Sequence, residues 1–156
     1  GFTAEDNVSM AFQAQDGHSF CFWKKAGNDE RLRRPAREVL DQVGLIDRAD
    51  IIASNLSHGE QRQLDIAMAL ATKPTMLLLD EPMAGMGAEE SNRMVELLRH
   101  LKGTVTILLV EHDMGAVFSL ADRITVLVDG QAIATGQPES IRENLKVRQA
   151  YLGQEA

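Results

Sequence analysis

A short apolar run that ends in two acids constrains this chain more than any other feature. Met76-Leu77-Leu78-Leu79 is followed directly by Asp80-Glu81. A continuous run of that length reads as a β-strand buried on both faces, the pattern of a parallel sheet. In open sheets of that kind, ligands bind outside the carboxyl ends of the strands. Asp80 can hold Mg2+ there, through water, because Mg2+ uses few carboxylates and keeps several waters. Glu81 can take a proton from an attacking water. A pair of solvated acids at a strand end would look the same, and the run alone does not choose.

Upstream lies Leu56-Ser57-His58-Gly59-Glu60-Gln61. Ser57, with Glu60 three residues on, has the spacing of a capping box. A helix is therefore expected to start there and to run through the pattern from Arg62 to Thr72, closed by Lys73-Pro74. Its first free N–H groups and the positive end of its dipole point out past Ser57 and Gly59. Gly59 has no side chain to keep an anion away, so a phosphate fits. An ordinary capped helix needs the same residues, and both readings stand at this point.

The order loop, helix, turn, strand, two acids resembles the ATP-binding subunit of ABC transporters. The likeness is carried by Leu-Ser-x-Gly-Glu-Gln at 56–61 and by the apolar strand closed by Asp80-Glu81-Pro82. More narrowly, Leu56 to Leu64 and Asp80 to Met86 resemble the subunits of branched-chain amino acid uptake systems, with the urea-uptake branch also similar. The resemblance implies an α/β fold: a partial P-loop NTPase core, a mostly parallel sheet with flanking helices, plus an all-helical signature subdomain. It divides the chain into residues 1–73, ending in the signature motif and its helix, and residues 74–156, the C-terminal part of the ATPase core.

The same resemblance implies chemistry. ATP would be hydrolysed at the seam of a dimer with a second ATP-binding subunit, identical or not, to power uptake through transmembrane permease subunits. The chain would be cytoplasmic and peripheral on the inner face of the cell membrane. Glu81 takes the role of catalytic base, Asp80 holds Mg2+ through water, and Ser57, Gly59, Glu60 and Gln61 reach the ATP of the partner subunit. His112 follows a second apolar run, Val105 to Val110, at Glu111-His112-Asp113. It matches the family's histidine on the γ-phosphate, although a strand-end histidine can equally bond a backbone group. Ala84-Gly85-Met86-Gly87 falls on the family's D-loop, whose usual terminal Asp is replaced here by Gly87.

No Gly-x-x-x-x-Gly-Lys-Ser/Thr occurs in the chain, so the loop that cradles phosphates is not here. The resemblance covers only the C-terminal part of the family's domain. The chain is expected to be a fragment, inactive alone, of a subunit that is active when intact. The alternative is a soluble ABC-type ATPase without a permease, such as a repair or translation factor. Those usually carry coiled-coil insertions or twin cassettes, and heptads are absent here.

Composition bounds the rest. The 156 residues suffice for one ordinary domain. A formal charge of −7 argues against a nucleic-acid partner. No run approaches the roughly 18 apolar residues of a spanning helix, and the opening Gly-Phe-Thr-Ala-Glu-Asp is not a signal peptide. A single cysteine, Cys21, allows no internal disulfide.

The remaining elements follow from periodicity. A helix is expected from near Thr3, with Val8 and Phe12 on one face. Residues 17–34 read as a loop, in which Phe20, Phe22 and Trp23 stand beside Lys24, Lys25, Arg31, Arg33 and Arg34. That loop is either solvated, with one aromatic anchor, or a surface for a membrane partner. Pro35 is expected in the first turn of a helix that Gly44 ends. A helix over 88–101 carries the stripe Met94, Leu97, Leu98, Leu101. Ile124–Val128 should turn back through Asp129-Gly130 into 131–135.

Overall fold

The computed structural model describes residues 1–15 and 30–152. His18, Cys21, the aromatic group Phe20, Phe22 and Trp23, and Lys24 and Lys25 lie outside the described residues. The chain forms two compact units, Gly1–Val110 and Glu111–Ala156.

The first unit begins with helix α1 (Ala4–Gln15). Thr3 and Asp6 start it by exchanging bonds: the Thr3 N–H donates to Asp6 Oδ2 at 3.0 Å and the Asp6 N–H to Thr3 Oγ1 at 3.1 Å. Helix α1 packs against α2 (Glu30–Gln42) and α3 (His58–Ala71), and Val8 is fully buried as its spacing requires. Phe12 is only partly buried. Glu5, on the next turn back, is buried as well, at 2% exposure. Its carboxylate accepts from Arg33 Nη2 at 3.2 Å and from Arg37 Nε at 3.0 Å. The bond from Arg33 holds the Glu5 carboxyl below the usual range; burial opposes this and Arg37 adds to it.

Two expectations fail here, for one reason. Residues 30–34 are helical rather than loop, and Pro35 lies inside α2 rather than in its first turn. A proline inside a helix loses the bond to the carbonyl four residues back and crowds that carbonyl, a cost of about 3 kcal/mol that other contacts must offset. Arg33 ahead of the proline and Arg37 beyond it both pair with Glu5, and so tie α2 to α1 on either side of Pro35. Arg33 is accordingly turned to Glu5 and is not part of an open basic surface. Helix α2 ends as expected at Gly44, in the left-handed region at φ +75°. The Gly44 N–H bonds to the Asp41 carbonyl at 3.0 Å and the Leu45 N–H to the Leu40 carbonyl at 2.7 Å. That is a Schellman motif, sealed by the buried pair Leu40 and Leu45.

Two 3-10 turns, Ile46–Arg48 and Ala53–Asn55, lead into α3. After it, β1 (Met76–Asp80), α4 (Ala88–Leu101) and β2 (Thr106–Val110) form a parallel crossover unit. The strands pair from Met76 opposite Thr106 to Asp80 opposite Val110. The expected stripe of α4 is its buried face: Met94, Leu97, Leu98 and Leu101 are all in the core.

Burial of β1 on both faces is not what forms. Leu77 is 4% exposed but Leu78 is 71% exposed, and Leu108 and Val110 stand at 54% and 55%. Side chains alternate across a strand. Met76, Leu78, Leu108 and Val110 therefore share a face that the described residues leave open.

The second unit holds α5 (Met114–Leu120), β3 (Ile124–Val128), β4 (Gln131–Gly136), α6 (Pro138–Glu143) and the short α7 (Leu145–Val147). Strands β3 and β4 pair antiparallel, as the turn residues indicate. Asp129 and Gly130 both take positive φ, +48° and +74°, as a type I′ turn requires. Ile124, Val126, Ile141 and Val147 form its core. The Arg142 guanidinium stacks over Phe118, 4.7 Å from the ring centre. No helix among the described residues is long and apolar enough to cross a membrane.

Candidate functional site

The start of α3 is built as its spacing demands. Ser57 takes an extended backbone, φ −62° and ψ 165°, and both bonds of the capping box are made. The Glu60 N–H donates to Ser57 Oγ at 3.2 Å, and the Ser57 N–H donates to Glu60 Oε2 at 2.8 Å. Arg48 Nε then donates to Glu60 Oε1 at 2.9 Å. The Ser57 N–H, with help from Arg48 and against partial burial, holds the Glu60 carboxyl below its usual range. Glu60 is thereby charged and fixed in place. In a helix so capped, His58 and Gly59 are left with N–H groups that have no intrahelical acceptor.

A cleft of about 290 Å3 opens beside this turn, lined by Arg48, Ser57, Gly59, Glu60, Glu90 and Arg93 among others. Gln61 is turned away from it. Its side-chain amide donates to the Leu56 carbonyl at 3.1 Å and so braces the loop from behind. Glu90 comes from the first turn of α4. Ser57 Oγ donates to Glu90 Oε1 at 3.4 Å, and a Cβ added to Gly59 would lie 3.0 Å from the same oxygen. Glu90 had no signal in the sequence, because it stands 33 residues from Ser57 and looks like any acid in a first turn.

Asp80 is the exposed last residue of β1, and Glu81 follows it, also exposed. Glu81 lies in the left-handed region at φ +44°. For a residue with a side chain, that conformation costs about 1–3 kcal/mol and persists only where the surroundings hold it. Here they do. The Glu81 N–H is bonded to the Val110 carbonyl at 2.9 Å, its carbonyl accepts from the Ala84 N–H at 3.0 Å, and Pro82 and Met83 are buried beyond it. Neither Asp80 nor Glu81 lines the cleft at Ser57. Gly87 is the N-cap of α4, with ordinary φ of −73° and no side-chain cap bond.

In the second unit, His112 is exposed, with 72% of its side chain open to solvent. The turn that carries it is organised by Glu111, whose side chain is only 2% exposed. The Glu111 carboxylate accepts from the His112 N–H at 3.0 Å and from the Asp113 N–H at 3.3 Å. Asp113 Oδ1 in turn caps α5, accepting from Gly115 at 2.8 Å and Ala116 at 3.2 Å. Glu111 was missed as an organiser, since next to His112 it reads as one more solvated acid.

Among the described residues, no three or more His, Cys, Asp or Glu side chains gather into a metal cage. A hard cation held by one carboxylate, with waters and phosphate oxygens, needs no such cage. The exposed Asp80 oxygens at a strand end are the right donor type.

Comparison with known proteins gives a consistent picture. The family described as ABC transporter matches residues 2–84. The one described as Branched-chain amino acid ATP-binding cassette transporter matches residues 133–156. The high-affinity branched-chain amino acid transport ATP-binding protein LivG of Escherichia coli K12 is 45% identical over 132 residues, 83% of this chain and 51% of its own length. Its counterpart BraF of Pseudomonas aeruginosa is 43% identical, over 79% of this chain and 52% of its own length. Among solved structures, the ADP conformation of MJ1267, an ATP-binding cassette of an ABC transporter, superposes with a TM-score of 0.77 at 27% identity, covering 97% of this chain and 63% of that one. The chain spans about half the length of the curated relatives it matches.

Proposed function

The chain belongs to the ABC transporter family, and from that premise we propose that it is part of an ATP-binding subunit that powers uptake of branched-chain amino acids. The intact subunit hydrolyses ATP at the seam of a dimer, with a permease in the membrane and the ATPase peripheral on its cytoplasmic face. Residues 1–73 carry the signature motif and residues 74–156 the C-terminal part of the ATPase core. The phosphate-gripping loop is not among these residues and comes from elsewhere in the subunit.

In this reading, each site uses residues of two copies. One copy offers the start of α3: the Ser57 hydroxyl, the N–H groups around Gly59, and a helix dipole that favours an anion. Glu60 and Gln61 hold that turn in shape. The other copy offers the acids and the histidine. Glu81 takes a proton from the water that attacks the γ-phosphorus, and its strained backbone fixes where the carboxylate points. His112 donates to a γ-phosphate oxygen. Asp80 holds Mg2+, which when bound neutralises charge on the phosphate oxygens. The rest is positioning.

The observation that carries this reading is the capped start of α3, with an exposed Ser57 and a Gly59 buried under Glu90, beside a cleft that neither Asp80 nor Glu81 lines. A separation of that kind suits a site shared between two copies. The test is steady-state ATPase activity of the full-length subunit with Glu81→Gln. Turnover should fall at least about 10²-fold, the scale of a lost general base, while ATP still binds. Near-normal turnover would remove Glu81 from that role.

A further inference from the structure

The cleft at the start of α3 already contains an anion, and it is the chain's own. Glu90 is the third residue of α4, the position from which a capping-box glutamate reaches back to its own N-cap. That N-cap is Gly87, which has no side chain to complete a reciprocal box. The Glu90 carboxylate goes instead to the neighbouring helix, where it accepts from Ser57 Oγ at 3.4 Å. It packs so closely on Gly59 that a methyl group there would lie 3.0 Å from its oxygen. The glycine thus admits a carboxylate of the same chain to the place where a phosphate is read. Glu60, the other acid at this turn, is held by Arg48 and by the Ser57 N–H, and so cannot swing in to do the same.

We propose that Glu90 is a positioning residue that competes with the γ-phosphate for the Ser57 turn. This rests on the reading of Ser57 and Gly59 as the contact to the partner copy's ATP. With no nucleotide across the seam, the carboxylate stands 3.4 Å from the Ser57 hydroxyl, at the positive end of α3. Arriving ATP must displace it, because two anions cannot share one hydroxyl donor. Once the γ-phosphate has been cleaved, the carboxylate returns and the two copies part. Glu90 therefore weakens the closed dimer and speeds its opening, without touching the reacting atoms.

The test uses the full-length subunit with Glu81→Gln, ATP and Mg2+, and reads the dimer dissociation constant by sedimentation. Glu90→Gln and Glu90→Ala are each expected to lower it at least about fivefold, the scale of one charge removed from beside another even in bulk water. In the catalytically intact subunit, the same variants should lower KM for ATP by a similar factor without raising kcat. A purely structural role would not produce that split. A dissociation constant that stays the same or rises in either variant overturns the proposal. Ser57→Asn serves as the control. If it leaves the parent dimer intact, the reading of Ser57 falls and this proposal with it. If it breaks the dimer while both Glu90 variants change nothing, the proposal alone falls.

Discussion

Ser57 is given two duties, holding the helix and meeting a phosphate, and two substitutions separate them. Ser57→Ala removes the oxygen that accepts the Glu60 N–H at 3.2 Å. The other half of the box survives, because the Ser57 N–H still donates to a Glu60 carboxylate anchored by Arg48. The loss should then be about 1 kcal/mol, mid-range for a removed cap, and about 2–4 °C in Tm for a chain of this size. Ser57→Asn keeps a neutral side-chain acceptor of equal capping strength. Its stability should stay within about 0.5 kcal/mol of the parent. Both variants lack the small hydroxyl, so both should lose ATP-driven dimer formation in the full-length subunit. Thermal unfolding followed by circular dichroism, beside sedimentation with ATP, reads the two duties independently. If Asn destabilised the chain as much as Ala, the side chain would not be acting as a cap. If Asn left the dimer intact, the phosphate duty would be wrong.

Glu5→Gln should cost about 1.5–3 kcal/mol at neutral pH, the worth of hydrogen bonds to charged groups, since Arg33 and Arg37 can still reach water. The Glu5 carboxyl is held below its ordinary range in the fold. Its contribution is therefore present above the unfolded glutamate range, about 4.3, and is lost as pH falls through the folded value. Urea midpoints measured from neutral to acid pH should converge for parent and variant below that range; a constant gap would contradict this. Met94→Ala, at a site only 1% exposed, should cost about 2–5 kcal/mol by urea unfolding, and a loss under 1 kcal/mol would mean that α4 is not seated as described.

Much of this chain is legible locally. The capping box at Ser57 and Glu60, the buried stripe of α4 and the Asp129-Gly130 turn each depend on residues a few places apart, and each forms as its spacing says. What escaped is what joins distant residues. The clasp on Glu5 comes from Arg33 and Arg37, 28 and 32 residues away, and it spans a Pro35 that lies inside α2. Glu90 reaches Ser57 across 33 residues. An apolar run such as Met76–Leu79 states that burial is wanted but not what supplies it, so the open face of Leu78 could not be foreseen. At the acids, the residue types were readable from sequence, whereas the left-handed backbone of Glu81 was not, because a glutamate carries no preference for it.

The most direct measurement is a structure of the full-length Glu81→Gln subunit with ATP and Mg2+. A γ-phosphate oxygen should lie about 2.5–2.8 Å from Ser57 Oγ of one copy, with Asp80 and His112 of the other copy on its far side and Glu90 withdrawn from Ser57. Nucleotide bound with the Ser57 turn facing bulk water, or with Ser57 and Asp80 of the same copy around one phosphate, would contradict the shared site.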